Sequence, residues 1–325
     1  MRKCAIFCNN PATVGRVFGE SRLKRLRERS ELFPEIVSEK NFFDCDLRQI
    51  EVIFSTWGMF SPTPEMFDAM PDLQAVFYAA GATDSFFRAF HERGIRVFSA
   101  WQANAIPVAE FTAAHILLGL KGFLRNRREY TGPEQYPQPE EERAYVGVGC
   151  YGARVSLLGA GAIAQKTREF LKPHEIQCEI IPSRPERRTT SFEEAFRTSM
   201  VVSNHLPNRA DNQRVLTRAM FESMLPGAVF INTGRGAQVD EEALLDVLEA
   251  RPDLTAVIDV TDPEPPPAGS RFYTLPNLYL TTHIAGSQKD EVHRMADYML
   301  DEYERFIAGL PTCYEVRESM LLTSR

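Results

Sequence analysis

The sequence predicts an α/β protein built on parallel sheets and divided into two units. Three observations carry this. Short apolar runs alternate with helical patterns through the first hundred residues, and that alternation argues for a parallel sheet. The same alternation restarts after residue 151. The chain has 325 residues, which at roughly 150 per domain points to about two domains. Hydrophobic residues at 44% and charged residues at 25% exclude a largely disordered or fibrous chain.

In the first unit, Cys4–Cys8, Val52–Ser55, Ala75–Ala79 and Ile95–Phe98 read as buried strands. Val14–Arg29, Glu65–Ala69 and Ser85–Arg93 have helical spacing between them. The basic run Arg22–Arg29 leaves two readings, a nucleic-acid patch or the solvated face of an amphipathic helix. Net charge is 37 − 44 = −7, which argues against steering toward nucleic acid or an anionic membrane. A long helix is expected from Pro107, since proline suits a first helical turn. Its apolar positions include Phe111, Ala114, Leu117 and Leu118, and it runs toward Arg128. Tyr130–Tyr151 reads as a long loop or arm.

Strands of the second unit are expected at Val155–Leu158, Cys178–Pro182, Met200–Ser203, Val229–Asn232, Thr255–Asp259 and Tyr279–Thr281. Helices include Ile163–Leu171 and Glu241–Glu249, and a last helix covers about Ser287–Leu310. No window holds eighteen consecutive apolar residues, so no membrane span is expected. The apolar stretch after Met1 is too short for a signal peptide. The six cysteines form no CxxC pair and no zinc spacing, which points to a reduced, cytoplasmic protein without a metal site.

The clearest local motif is Val155-Ser-Leu-Leu-Gly159-Ala-Gly161-Ala-Ile-Ala164. It is a G-x-G-x-x-A loop directly after a strand and opening a helix. The first glycine makes the turn, the second admits a pyrophosphate, and the third small residue packs helix on strand. The N–H groups of Ala162 and Ile163 then face the anion.

Three further segments end strands: Asn232-Thr233-Gly234-Arg235-Gly236, Asp259–Pro265 and His283–Gly286. Ligands of open α/β sheets sit beyond the carboxyl ends of strands, so these segments are candidates for one site. Singly, Arg235 also reads as a turn arginine, Glu264 as a charge in a proline turn and His283 as a loop histidine. Together they supply the groups that a 2-keto acid needs. A fork of guanidinium donors takes its carboxylate. An imidazole exchanges a proton with its carbonyl oxygen. A neighbouring carboxylate holds that imidazole and favours its charged form.

On these residues the chain resembles the D-isomer-specific 2-hydroxyacid dehydrogenases. Asn104-Ala-Ile-Pro-Val-Ala-Glu110 and His205-Leu206-Pro207 add to the likeness. Thr282 stands where a proline is usual, Ala164 for the third glycine and Met200 for a frequent aspartate. The resemblance implies that Arg235 binds substrate, that His283 gives or takes the proton, and that Glu264 orients it. It implies that Asp259 faces the nicotinamide carboxamide. Leu206, Pro207, Thr233, Gly234, His283 and Gly286 line the cofactor. It further implies a doubly wound Rossmann cofactor domain, 103–286, inserted in a flavodoxin-like, doubly wound substrate domain, 1–102 and 287–325. The Ala79–Asp84 loop would hold the substrate carboxylate through its backbone N–H groups, Gly81 allowing close approach, with a simple strand-end turn as the other reading; Ala80 and Asn104 would contact the substrate. Trp57, beside Met59, reads as pocket wall or equally as core. The long apolar helix and the 130–151 arm resemble the family's dimerisation elements, which implies a homodimer.

The implied activity is nicotinamide-dependent interconversion of small 2-keto acids and D-2-hydroxy acids, in the reductive direction. Glyoxylate and hydroxypyruvate are the first substrates. Glu264 speaks against a formate dehydrogenase and Ala80 against a phosphite dehydrogenase. An NAD(H)-sensing corepressor on the same fold is the alternative from another class. For the cofactor, an NAD site places an acid at the end of the second strand. Here that strand ends Pro182-Ser183-Arg184-Pro-Glu-Arg187-Arg188. Guanidinium groups bond phosphate in pairs. NADPH is therefore expected over NADH, with Arg184 as main contact, Arg187 or Arg188 auxiliary, and a solvated basic turn as the other reading.

Overall fold

The computed structural model describes residues 1–136 and 147–320, and part of the 130–151 arm lies outside them. The chain forms two compact units. One comprises Met1–Ala105 and the described residues from Ser287 onward, the other Ile106–Gly286.

The first unit has strands β1 (Arg2–Phe7), β2 (Ser30–Val37), β3 (Val52–Ser55), β4 (Ala75–Tyr78) and β5 (Arg96–Ser99). All pair parallel in the order β2-β1-β3-β4-β5. Helices α1 (Pro11–Arg29), α2 (Pro64–Asp68) and α3 (Phe87–His91) connect them. The sequence reading missed β2. Its Pro34 cannot donate to a ladder, which confines such a strand to an edge. The pairing jumps there, from Cys4↔Leu32 to Ile6↔Ile36. β3 and β4 are buried along their whole length, as parallel strands covered on both faces must be.

The final helix α10 is shorter than expected, His293–Ile307, after a 3-10 turn at Lys289–Val292. It packs on α1. Arg22 grips Asp297 with two bonds of 2.7 and 2.8 Å, and Arg25 reaches Asp301 and Glu304. The basic run is thus largely neutralised by acids of another helix. At the core, the Phe77 ring stacks between Phe54 and Phe98, at 5.4 and 4.6 Å. Tyr303 and Phe306 of α10 meet it edge-on.

The long apolar helix α4 runs Trp101–Leu120, so it begins six residues before Pro107. Its first turn is already closed by Asn104 N–H to the Ala100 carbonyl at 2.9 Å. Pro107 is therefore interior, where it removes one ladder bond. By length and composition α4 passes for a membrane span, but 56% of its apolar window is buried inside the protein. It serves as a core helix, followed by α5 (Phe123–Glu129).

The second unit carries β6 (Arg154–Leu158), β7 (Gln177–Ile181), β8 (Val201–Asn204), β9 (Val229–Asn232), β10 (Thr255–Ile258) and β11 (Leu278–Leu280). They form one parallel sheet, β11-β10-β9-β8-β6-β7. Side chains alternate between its faces. Leu158, Val202, Phe230 and Ile258 join a core with α7 (Phe192–Thr198), α8 (Arg218–Glu222) and α9 (Glu241–Ala250). Val155, Leu157, Val201, Ile231 and Val257 join another with α4 and α6 (Ala162–Leu171). The strand order reverses between β6 and β8, and a switch point of this kind opens a crevice at the carboxyl ends.

Phe77→Ala should cost about 3–5 kcal/mol, the usual loss for a fully buried aromatic ring. Urea unfolding of the variant against the parent checks this.

Candidate active site

The loop after β6 is shaped by what glycine lacks. Gly159 has φ +103°, and a Cβ there would sit 2.3 Å from the His205 carbonyl oxygen. Its N–H bonds Ile181 O at 2.7 Å, and His205 N–H bonds Leu158 O at 2.7 Å. The end of β6 is thus tied to both neighbours. A Cβ on Gly161 would meet no atom within 4 Å. Gly161 caps α6 without a side-chain bond, so the first N–H groups of the helix, including those of Ala162 and Ile163, stay available to an anion. Ala164 is fully buried. An open approach, uncapped N–H groups and a buried third small residue fit a dinucleotide pyrophosphate.

At the end of β7, Ser183 and Arg184 are half-buried and Arg187 is exposed. Arg188 turns inward. Its Nε donates to Pro182 O at 2.9 Å, Nη2 donates to Ser183 O, and its guanidinium lies 3.6 Å over the Phe192 ring. Of the two auxiliary candidates, Arg188 is spent on holding its own turn. A cation that the sequence reading missed stands opposite. Arg209 bonds Asp211 through Nε and Nη2, both at 2.7 Å, and its Nη1 lies 3.3 Å from Ser183 Oγ. Arg184 Nη1 is 3.6 Å from the same Asp211 carboxylate.

Between β8 and β9 lies a buried polar network, also missed except for Asn232. Asn204 Nδ2 donates to Asn232 Oδ1 at 2.9 Å and to Gln238 Oε1 at 2.7 Å. Gln238 Nε2 donates to the Leu206 and Pro207 carbonyls, both at 2.9 Å. The Gly234 and Arg235 N–H groups donate to Asn232 Oδ1 and Gln238 Oε1. Each buried amide therefore has partners, as burial demands. His205 is buried beside them, with Ser203 at 2.9 Å and Thr233 at 3.3 Å. Desolvation pushes its imidazole down to about 3.

Arg235 is exposed, and its Nη1 donates to Gly234 O at 2.7 Å. A Cβ on the next residue, Gly236, would lie 2.1 Å from the Thr261 carbonyl carbon. The β9 and β10 loops therefore touch backbone to backbone. The Asp262–Pro263 and Glu264–Pro265 peptides are cis. Asp262 N–H donates to Glu241 Oε1 at 2.9 Å, and burial pushes the Glu241 carboxyl up to about 7. This loop brings Glu264 Oε1 to 2.7 Å from His283 Nδ1.

His283 has φ +57°, an uncommon conformation for a residue with a side chain. Asp259, buried, holds it there. Its carbonyl accepts His283 N–H at 3.1 Å. Its carboxylate accepts the Thr281 hydroxyl at 2.6 Å and the N–H groups of Ile284 and Ala285 at 2.8 and 3.0 Å.

In the first unit, Thr56 Oγ1 donates to Ala79 O at 2.9 Å, joining the loops after β3 and β4. Ser99 Oγ lies within bonding distance of the Ala80 and Gly81 carbonyls, at 2.8 and 2.6 Å. In a trans peptide N–H and C=O point oppositely, so the N–H groups of Gly81 and Ala82 face away from Ser99. A Cβ on Gly81 would lie 3.0 Å from Asn104 Nδ2. Trp57 is half-buried against the core, with the Arg16 guanidinium 5.2 Å from its ring centre.

Comparison with known proteins gives the family and the fold of the chain. The family model of the D-isomer specific 2-hydroxyacid dehydrogenase NAD binding domain matches residues 114–285. A glycerate dehydrogenase of Methylorubrum extorquens is 30% identical over 258 residues, 74% of this chain and 78% of that one. A phosphoglycerate oxidoreductase from Rhizobium etli superposes with a TM-score of 0.81 at 19% identity, covering 99% of this chain and all of that one. An acyclic imino acid reductase solved with NADPH and D-Arg gives 0.66 at 20% identity, covering 98% and 100%. Likenesses at such identity speak for the fold alone.

His205 should make the fold acid-sensitive. Its folded value, about 3, lies below the usual 6.5, so the unfolded chain takes up a proton that the folded one refuses. Stability is then present above pH ~6.5 and falls by up to about 1.4 kcal/mol per unit as pH drops toward 3. Urea unfolding at pH 7 and pH 5 should show the parent losing on the order of 2 kcal/mol more than His205→Asn.

Proposed function

Because the chain belongs to the D-isomer specific 2-hydroxyacid dehydrogenase family, we propose that it is a cytoplasmic reductase of small 2-keto acids. Its products are D-2-hydroxy acids, and NADPH is preferred to NADH. Glyoxylate and hydroxypyruvate are the first substrates to try. The observation that carries this reading is the 2.7 Å pair of His283 and Glu264, an imidazole held by a carboxylate at the carboxyl edge of a dinucleotide-type sheet.

When bound, the cofactor supplies the hydride. The chain supplies the rest. Glu264 accepts from His283 Nδ1 and so presents Nε2 as the atom that gives its proton to the substrate oxygen. Arg235 takes the substrate carboxylate through its forked donors and polarises the carbonyl. Within the first unit, the Gly81 N–H is the proposed donor to a substrate, with Ala80 fixing its loop, Asn104 beside it and Trp57 as a pocket wall. Asp259 positions His283, and its remaining lone pair faces the carboxamide. Gly159, Gly161, Ala162 and Ile163 receive the pyrophosphate. Leu206, Pro207, Thr233, Gly234 and Gly286 line the rest of the cofactor site. Ser183, Arg184 and Arg187 favour a 2′-phosphate.

The residues 1–102 and 287–325 form the substrate domain in this reading, and 103–286 the cofactor domain. Exposed apolar residues fall close together in sequence at Phe123, Tyr130, Tyr136, Val148 and Tyr151, which supports a two-fold homodimer. Light scattering at micromolar concentration should return twice the 36.9 kDa chain mass, and a monomer would sink the dimer.

The activity is tested by screening 2-keto acids with NADPH and NADH. Turnover is expected with at least one, at higher kcat/KM with NADPH. His283→Ala should lower kcat by about 10²–10⁴. Arg235→Lys should also be poor, since a point charge does not reproduce the fork. Near-parental turnover of His283→Ala would overturn the assignment.

A further inference from the structure

Arg209 is the least expected charge in the second unit. Its side chain is 5% exposed, whereas that of its partner Asp211 is 55% exposed. A buried guanidinium is costly unless paired, and here one exposed carboxylate does the pairing. That carboxylate also draws in Arg184, at 3.6 Å. Arg209 Nη1 reaches Ser183 Oγ at the end of β7. Two guanidinium groups thus converge on one carboxylate, with Ser183 Oγ against Arg209, and the formal charges of Arg184, Arg209 and Asp211 add to +1. Asp211 stands in a short 3-10 turn, Ala210–Asn212. Its carboxyl is held below the usual range by the Arg209 bonds, so it is ionised wherever the enzyme works.

A monoanion held by two forked cations resembles a phosphate held by the same pair. Asp211 is the exposed member of the pair and Arg209 the buried one, so reaching Arg209 requires Asp211 to yield. We propose that Arg209 is a cofactor-specificity residue and that Asp211 is an internal counter-anion, displaced from Arg184 and Arg209 by the 2′-phosphate of an adenine dinucleotide. The proposal rests on the NADPH reading above. Asp211 keeps the two guanidinium groups from repelling each other until the phosphate arrives, and a dianion then holds them more strongly than the monoanion it replaces.

Calorimetric titration with adenosine 2′,5′-bisphosphate and with 5′-AMP tests this without turnover. The parent protein should bind the bisphosphate more tightly. Arg209→Gln should weaken the bisphosphate by about ten- to a hundredfold, the loss expected for a charged hydrogen bond, and leave 5′-AMP within about twofold. Asp211→Asn removes the competing charge and keeps the acceptor oxygen. It should tighten the bisphosphate about three- to tenfold, with 5′-AMP unchanged. If Arg209→Gln does not fold, Asp211→Asn decides alone, and unchanged or weaker bisphosphate binding overturns the proposal. A parent with no preference between the two probes overturns the NADPH reading and the role of Arg209 together. A parent that prefers the bisphosphate while Arg209→Gln keeps the preference overturns only the role of Arg209.

Discussion

The candidate active site of the second unit depends on one buried carboxylate. Asp259 follows β10, and its two oxygens accept one hydroxyl and two backbone N–H groups from the segment after β11. Charge-assisted bonds of this kind are about twice as strong as neutral ones. Three of them offset the unfavourable φ of His283 and fix where its ring begins. The imidazole then needs only one further partner, Glu264, to fix its rotation. An imidazole set by backbone on one side and by a carboxylate on the other has little freedom left to lose on binding a ligand.

The neighbouring strand ends follow the same logic with neutral groups. Asn204, Asn232 and Gln238 bridge β8 to β9 and pin the loops that carry Leu206, Gly234 and Arg235. Such a network must be complete, because each unsatisfied buried amide costs more than a good pair returns. The β7 end is different. It is cationic and half-open, and Arg184 and Arg209 both lie against the carboxylate of Asp211. The sheet edge thus divides into a rigid polar part near His283 and an electrostatically adjustable part near Ser183.

Legibility in the sequence followed the distance over which each feature is determined. The β6 turn was readable because strand, glycines and helix are contiguous, and Glu264 and His283 because each sits in its own strand-end segment. β2 was not, since Pro34 and partial burial hide an edge strand that only its pairing with β1 creates. Pro107 suggested a helix start by local rule, yet the helix was already begun from Ala100. Arg188 looked like Arg187 in sequence, and only Phe192 and the carbonyls of Pro182 and Ser183 separate them. Arg209 lies 26 residues from Ser183, and no local pattern connects them. The pairing of Asn204 with Gln238 is of the same long-range kind.

The backbone contact between Gly236 and Thr261 has a consequence for how this sheet edge changes over evolutionary time. The two loops share one surface with no side chain between them. A residue added to either loop, or a side chain at Gly236, pushes the other and with it the proline turn that carries Glu264. The β9 and β10 loops are therefore sterically one unit. Chimeras that exchange one loop with a relative and retain the other join two surfaces that were never fitted to each other. Exchanges of both together preserve the fit, and variation in this region is expected to arise by paired replacement.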